Sequence, residues 1–326
     1  MKIAVTGANG HVGVNLCKRL LESGHEVNAL IHQNAENLKD LPIRLFQGDL
    51  LKKETLLSFA DGCEVMFHLA ARISITGDQN SLVTETNATG TKNIIETVKY
   101  CKIKRLVHFS SIHAFSQSPS DEVLDETRPL VSHRGFSYDC SKADGEKSVL
   151  EAVKTGIDAV VVSPTAIIGP EDPEPSLVGK AVIDIYNHKI PSLIPGGYDW
   201  VDVRDVVTGA ISAMENGRKG EKYLLSGHYH SLKEFSASIS QATGRKTVQT
   251  VVPVWLARVG LPFTTLYSRI LGTIPLYTHE SLTIITEGSR LISHAKAKKE
   301  LNYHPRPLTD TIADLVDWFK QQKRII

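Results

Sequence analysis

Cysteine is scarce in this 326-residue chain, and the four cysteines present are widely separated. Cys17, Cys63, Cys101 and Cys140 form no C-x-x-C pair, so the sequence indicates neither a zinc site nor a disulfide framework. Scattered thiols of this kind are typical of a reducing compartment. We therefore expect a cytoplasmic protein without a metal site.

An excess of charge and a long apolar run are missing too. The net charge is +1, which gives no reason to expect binding to nucleic acid or to an acidic membrane surface. A membrane-spanning helix needs ~20 uninterrupted apolar residues. The most apolar region, residues 251–277, is broken by prolines, Arg258 and Arg269, which favours a buried or lid-like helical segment. The opening MKIAVTGANG reaches glycine too early for a signal peptide.

Short apolar runs alternate with longer amphipathic stretches along the first half of the chain. This alternation predicts a Rossmann-type, doubly wound parallel α/β sheet with a smaller, mostly helical C-terminal lobe. The predicted strands are 2–6, 26–31, 43–47, 64–70, 105–110 and 157–163. The predicted helices between them are 11–24, 52–62, 80–101 and a segment that carries Tyr138 and runs to Gly156.

The pattern loosens after residue 165, where prolines mark a turn-rich start to a second lobe. We predict a dinucleotide-binding domain over 1–164, to which 200–226 returns as a helix and one more strand. Residues 165–199 and 227–326 are predicted to form the substrate-binding lobe.

The stretch TGANGHVG, residues 6–13, lies between the first strand and the first helix. Gly7 allows a tight turn, Gly10 lets the backbone approach a pyrophosphate, and Gly13 permits close packing of helix on strand. The helix N-terminus then presents its partial positive charge to the phosphates. This context predicts dinucleotide binding by the loop, with Asn9, His11 and Val12 lining the same site.

The G-x-x-G-x-x-G spacing resembles that of the extended short-chain dehydrogenase/reductases, and further motifs match this family in order along nearly the whole chain. Within the family, the sequence resembles the dihydroflavonol-reductase-like carbonyl reductases. The matching motifs are GDL (48–50), HLAA (68–71), NATGTKN (87–93), HFSS (108–111), YDCSK (138–142), SPTAIIGP (163–170), WVDVRDV (200–206) and KELNYHPRPL (299–308).

The resemblance implies further cofactor-binding residues. Asp49 and Leu50 would lie near the adenine, and Asn87 would support the catalytic network. The loop Leu69, Ala70 and Ala71 would line the adenine ribose. The remaining residues expected to contact the cofactor are Ser110, Tyr138, Lys142 and Pro164.

The residue that closes the second strand usually recognises the ribose 2′ position. An acid there binds a 2′,3′-diol, whereas a basic group suits a 2′-phosphate. This position is His32, and no acid follows before Glu36. The pattern favours NADP(H). Because the family more often has arginine here and histidine is only partly charged at neutral pH, NAD(H) stays open as the alternative.

A Y-x-x-x-K spacing occurs three times, so spacing alone does not identify a catalytic pair. The pairs that begin at Tyr100 and Tyr229 do not lie within one predicted helix. Tyr138 and Lys142 do, and residues four apart lie on the same helix face.

Ser111 precedes Tyr138 by 27 residues and follows a strand whose end points toward the crevice where open parallel sheets bind ligands. This matches the family's serine–tyrosine–lysine arrangement. Ser111 would orient the substrate oxygen, and Tyr138 would exchange a proton with it while the nicotinamide exchanges hydride. Lys142 would lower the tyrosine pKa and hold the nicotinamide ribose.

These features predict an NADP(H)-dependent oxidoreductase that reduces a small aldehyde or ketone, or oxidises the alcohol. A nucleotide-sugar epimerase with tightly bound NAD is the first alternative, and Arg134, Lys180 and Arg204 could serve its diphosphate. A non-catalytic dinucleotide sensor is the second alternative. Such relatives tend to lose the tyrosine–lysine pair, which is intact here.

The predicted pocket is mostly apolar, which suits an uncharged carbonyl better than a diphosphate. The expected partner is a small molecule, and a homodimer is the assembly considered. The predicted pocket residues are Ile73, His113, Phe115, Phe136, Ile167, Tyr198 and Trp200.

Overall fold

The computed structural model describes residues 1–132, 135–271 and 277–325, and within 263–271 it describes the backbone only. None of the described helices is long and apolar enough to cross a membrane.

Seven parallel strands form the main sheet in the order β3-β2-β1-β4-β5-β6-β9. The alternating pattern of strand and helix therefore gives the predicted Rossmann-type fold. The strands of this sheet are β1 (Lys2–Thr6), β2 (Glu26–Ile31), β3 (Arg44–Gln47), β4 (Val65–His68), β5 (Arg105–Phe109), β6 (Ala159–Pro164) and β9 (Lys222–Leu225).

Helices cover both faces of this sheet, because the buried strands are apolar on both sides. One face packs against α1 (His11–Glu22), α7 (Val203–Asn216) and α11 (Ala295–Leu301). The other face packs against α2 (Glu54–Ala60) and two longer helices. These are α4 (Gly90–Tyr100) and α5 (Ser137–Lys154).

The predicted helix over 80–101 is broken at its start. A short α3 (Leu82–Thr84) is followed by a π-helical turn (Glu85–Thr89), and only then does α4 begin. Asn80 and Ser81, just before α3, have φ angles of 56° and 59°. A regular helix cannot contain residues in this left-handed region, so the helix does not start at residue 80.

The C-terminal lobe contains a small sheet in addition to the expected helices. It has the strand order β10-β8-β7, with β7 (Ala166–Ile168), β8 (Gly197–Asp202) and β10 (His228–Ser231). The other helices are α6 (Leu177–Tyr186), α8 (Leu232–Thr243), α9 (Val254–Leu271), α10 (His279–Glu287) and α12 (Leu308–Gln321).

The segments near the predicted domain boundaries are divided between the two sheets. β8 belongs to the small sheet, whereas α7 and β9, which follow it, pack on the large one. Near the C-terminus, Ala297, Leu301 and Tyr303 join the core of the large sheet. The division into two domains stays a prediction.

Candidate active site

A cavity of about 1910 Å³ extends along the carboxyl ends of the parallel strands and reaches the C-terminal lobe. Its size exceeds that of an ordinary small-molecule pocket, ~300–1,000 Å³, and suits a dinucleotide together with a substrate. Every residue predicted for the catalytic group, the cofactor site and the substrate pocket lines this cavity, except Asn87. In the cofactor half these are Gly7, Asn9, Gly10, His11, Val12, Gly13, His32, Asp49, Leu50, Leu69, Ala70, Ala71 and Pro164.

The glycine loop connects β1 to α1 and has the geometry that a phosphate site requires. Gly7 has a φ of +71°, and a Cβ there would lie 2.7 Å from the amide nitrogen of Ala70. A Cβ on Gly13 would lie 2.6 Å from the Cα of Ala8. A Cβ on Gly10 would meet nothing closer than the carbonyl oxygen of Gly7, at 3.5 Å. The protein itself therefore does not require glycine at position 10, whereas a ligand approaching the backbone there would.

The first turn of α1 has no side-chain cap, so its amide groups are available to an anion from the cavity. The helix start is also tied to the second lobe. The His11 Nε2 is 3.0 Å from the carbonyl oxygen of Pro170, and Lys18 pairs with Glu171 at 2.7 Å.

Asparagine side chains tie the glycine loop to the segment after β2. Asn9 Nδ2 donates to Asn34 Oδ1 at 2.8 Å, and the Asn37 amide donates to Asn9 Oδ1 at 3.1 Å. His32, which closes β2, is exposed, and its Nε2 lies 3.8 Å from Asp49 Oδ2. An acid from the loop after β3 thus faces the histidine, although none follows His32 directly in the sequence.

The catalytic candidates meet at the ends of β5 and α5. Tyr138 is partly accessible through the cavity, yet the surrounding protein desolvates its hydroxyl and raises its pKa to about 12. A hydrogen bond with Ser111 opposes this rise, and the charge of Asp139 adds to it. Tyr138 therefore holds its proton at neutral pH, as a proton donor must.

Lys142 lies one turn farther along α5 and is buried, with 6% of its surface exposed. Its Nζ donates to the carbonyl oxygen of Phe109 at 2.5 Å. Burial lowers the pKa of Lys142 to about 8, and the charge of Glu146 opposes this effect.

Two buried histidines lie beside Lys142 at the ends of β4 and β5. Burial lowers the pKa of His68 to about 3 and that of His108 well below its ordinary value, and the charge of Lys142 acts in the same direction. Their rings are 5.4 Å apart. His68 Nδ1 is 2.8 Å from Thr6 Oγ1 and thereby joins β4 to β1. Both histidines are neutral and add no positive charge next to the lysine.

Asn87 lies behind the wall of the cavity. Its Oδ1 accepts from the Arg72 amide at 2.7 Å, and its Nδ2 donates to Ser141 Oγ at 2.9 Å. The residue thus joins the loop after β4 to α5. Its contribution to the site is support for these two elements.

The predicted substrate residues form two kinds of surface. Ile73 is 64% exposed at the cavity mouth, whereas Phe115 and Trp200 are buried and form the wall behind it. The ring of Trp200 stacks on Phe235 at 4.2 Å and meets Tyr198 edge-on at 5.2 Å.

Sequence reasoning missed an acidic cluster beside Tyr138. His113 Nδ1 lies 3.4 Å from Asp139 Oδ1, and the His113 ring packs edge-on against Tyr138 at 5.9 Å. Glu280 approaches from α10, and burial together with the charge of Asp139 raises its pKa to about 7. The three groups come from different parts of the chain, and of these only His113 is among the predicted pocket residues.

Two further buried acids were also missed. Asp199 lines the cavity, and it accepts hydrogen bonds from Thr165 Oγ1 at 2.6 Å and the Gly227 amide at 2.7 Å. Burial raises its pKa to about 6. The other is Glu146, on α5. Neither residue belongs to the sequence motifs that predicted the site.

The cations considered for a diphosphate are engaged elsewhere or not described. Arg134 lies outside the described residues. Lys180 lines the cavity but pairs with Asp184, and Arg204 binds Asp202 and Asp314, each at 2.7 Å. Among the described residues, no group of His, Cys, Asp or Glu side chains is arranged to hold a metal ion.

Comparison with known proteins identifies one family model and several relatives that match this chain over most of its length. The model of the NAD dependent epimerase/dehydratase family matches residues 3–226. Sterol demethylase protein B of Methylococcus capsulatus is 30% identical over 330 residues, with 100% of both chains covered. A putative dihydroflavonol 4-reductase of Synechocystis is also 30% identical, over 97% of this chain and 94% of the relative.

Among solved structures, gox2253 superposes with a TM-score of 0.86 at 29% identity and covers 99% of both chains. The similarity therefore extends over the large sheet and the C-terminal lobe alike.

Proposed function

Because the chain belongs to the NAD dependent epimerase/dehydratase family, as an NAD(P)-dependent enzyme of the extended short-chain dehydrogenase/reductase type, we propose that it is an NADP(H)-dependent carbonyl reductase. Its substrate would be a small, uncharged aldehyde or ketone, or the alcohol in the reverse direction. The observation that carries the proposal is one continuous cavity with the glycine loop in one part and Ser111, Tyr138 and Lys142 in another.

The glycine loop and the strand ends fit a dinucleotide. The space at Gly10 accepts backbone-to-phosphate contact, and the uncapped amides of α1 face the same side. When bound, the nicotinamide supplies the hydride that reduces the carbonyl carbon. His32 would recognise the 2′-phosphate of NADP(H), in competition with the carboxylate of Asp49.

The chain's own residues supply the proton and the orientation. Ser111 would donate to the carbonyl oxygen of the substrate and hold it beside the tyrosine hydroxyl. Tyr138, whose pKa is raised to about 12, would transfer its proton to the oxygen as negative charge develops there. Lys142 would hold the nicotinamide ribose and then favour the tyrosinate through its charge.

The apolar wall and the engaged cations support an uncharged carbonyl substrate over a nucleotide sugar. Lys180 and Arg204 would each have to leave a carboxylate partner before binding a diphosphate. The names of both relatives, a sterol demethylase protein and a putative dihydroflavonol reductase, support an apolar substrate as well. A homodimer and a cytoplasmic location stay predictions.

The test is a panel of uncharged ketones and aldehydes, monitored through NADPH absorbance, alongside nucleotide sugars, whose epimerisation consumes no NADPH and is followed by chromatography of the sugar products. With the best carbonyl substrate, Tyr138→Phe should lower kcat by a factor on the order of 10²–10⁴, the usual contribution of a positioned acid–base group. NADPH affinity should persist, because the ring is kept. Tyr100→Phe and Tyr229→Phe are matched controls that share the Y-x-x-x-K spacing outside the cavity. Near-full activity of Tyr138→Phe, or turnover of nucleotide sugars alone, would refute the proposal.

A further inference from the structure

Glu146 is a buried carboxyl group that the reaction described above does not use. It lies on α5, one turn beyond Lys142 and two turns beyond Tyr138, and none of its surface is exposed. Burying a carboxylate is costly unless charges or hydrogen bonds compensate it. A carboxyl group buried at this position is therefore expected to have a specific role.

Two strands supply partners for this carboxyl group. Ser110, at the end of β5, donates from its Oγ to Glu146 Oε2 at 2.5 Å. Lys222, the first residue of β9, places its Nζ 3.7 Å from Glu146 Oε1. Among the described residues, Oε1 has no hydrogen-bond donor, so only nearby charge stabilises it.

The neighbouring Lys142 is also a buried charged group, which a nearby negative charge would stabilise. Its ammonium group is buried and donates to one carbonyl oxygen, that of Phe109. His68 on β4 and His108 on β5 face it in their neutral forms, because burial and the lysine charge lower the pKa of both. Glu146 accepts from Ser110, the residue next to Phe109, so both groups are held at the end of β5, and the charge of Glu146 raises the pKa of Lys142.

We infer that Glu146 is a positioning residue whose carboxylate acts as the counter-ion that keeps Lys142 an ammonium ion at neutral pH. Burial raises the pKa of Glu146, and the hydrogen bond from Ser110 together with the charges of Lys222 and Lys142 opposes this rise and favours the carboxylate. The inference rests on the proposed function, which assigns to Lys142 the nicotinamide ribose and the tuning of Tyr138. A neutral lysine would keep two N–H donors, but it would lose the charge that strengthens its hydrogen bonds to the ribose and that favours the tyrosinate.

The test measures NADPH affinity as a function of pH, which requires no substrate. For the wild-type chain, the affinity should fall as pH rises past about 8, where Lys142 loses its proton. Glu146→Gln keeps the shape and removes the charge, so the midpoint of this fall should move down by about one pH unit, while affinity at about pH 6 stays near wild type. Asp144→Asn is the matched control. It removes a carboxylate of the same helix that pairs with Lys147 near the surface, and its pH curve should overlay that of wild type.

A purely structural role gives a different result. If Glu146→Gln lowers the melting temperature but leaves the midpoint unchanged, Glu146 only ties α5 to Lys222, and the inference is wrong. If Glu146→Gln does not fold, Glu146→Asp replaces it. That variant retracts the charge by one methylene and should move the midpoint in the same direction by a smaller amount, and no movement would equally refute the inference.

Lys142→Met separates this inference from the proposed function. The variant should bind NADPH weakly, without the fall near pH 8. If it binds as wild type does, the assignment of Lys142 fails, and with it that of Glu146. If Lys142→Met loses affinity while Glu146→Gln leaves the pH curve unchanged, only the inference about Glu146 fails.

Discussion

Two glycines of the same loop, three residues apart, should respond differently to one added methyl group. In Gly13→Ala, the new Cβ would lie 2.6 Å from the Cα and 2.7 Å from the carbonyl carbon of Ala8, and it would also overlap the carbonyl oxygen of Gly7. Carbon atoms in contact are normally about 3.5–4.0 Å apart, so the backbone must move by roughly 1 Å. Overpacking of this kind lowers the free energy of unfolding by about 1–3 kcal/mol.

Gly10→Ala should leave stability unchanged and weaken dinucleotide binding. Its Cβ would make an ordinary contact at 3.5 Å, and the φ of −82° and ψ of 171° suit any residue. The free energy of unfolding should therefore stay within about 0.5 kcal/mol of wild type. The methyl group would occupy the space through which the pyrophosphate approaches, so we expect at least a tenfold loss of NADPH affinity, or about 1.4 kcal/mol.

Urea unfolding of the dinucleotide-free protein and fluorescence titration with NADPH measure the two quantities separately. Unchanged NADPH affinity in Gly10→Ala would mean that the phosphates bind elsewhere. Equal destabilisation by both substitutions would mean that the fold itself requires glycine at position 10. The open space beside Gly10 would then be no evidence for a ligand.

Two further predictions concern charge. His32→Asp should shift the ratio of dissociation constants toward NAD(H), because a carboxylate accepts hydrogen bonds from a 2′-hydroxyl and repels a 2′-phosphate; an unchanged ratio from titration with both dinucleotides would contradict this. Glu280→Gln should raise the melting temperature more at about pH 8 than at about pH 5. The pKa of a glutamate in the unfolded chain is ~4.3, whereas burial and the charge of Asp139 raise the pKa of Glu280 in the folded protein to about 7. The free-energy cost of burying the Glu280 anion is absent below pH ~4.3, grows between the two pKa values and is complete above about pH 7. Glu287→Gln, an exposed carboxylate of the same helix, is the control, and equal gains at both pH values for Glu280→Gln would show that its carboxyl group is not desolvated.

The parallel sheet could be predicted because its signals are local. β1 and β2 begin and end where their apolar runs do, and α1 starts at His11, within the glycine stretch, as predicted. Once the strands are parallel, their carboxyl ends share one edge of the sheet. The presence of the glycine loop, Ser111 and Tyr138 along one cavity follows from this geometry.

The small sheet and the break in the long helix could not be predicted, for two different reasons. β7 is three residues long and pairs with β8, about thirty residues later in the chain, so no local pattern marks it. The break before α3 depends on the left-handed conformations of Asn80 and Ser81. Asparagine tolerates this conformation, but the sequence alone does not require it.

The cofactor half of the site could be predicted from local sequence signals, whereas the surroundings of Tyr138 could not. The cofactor half is built from segments that directly follow the first five strands, so a short motif or a fixed position after a strand identifies each part. The chemistry at Tyr138 also depends on contacts between distant segments, with Asp139 on α5, His113 after β5 and Glu280 on α10. Because the charge of Asp139 raises the pKa of both Tyr138 and Glu280, and Glu280 lies on α10 in the C-terminal lobe, the lobe that would bind the substrate is linked electrostatically to the surroundings of the tyrosine. Substitutions in α10 should therefore change which carbonyl compounds are reduced and the pH at which they are reduced, while the affinity for the dinucleotide stays the same.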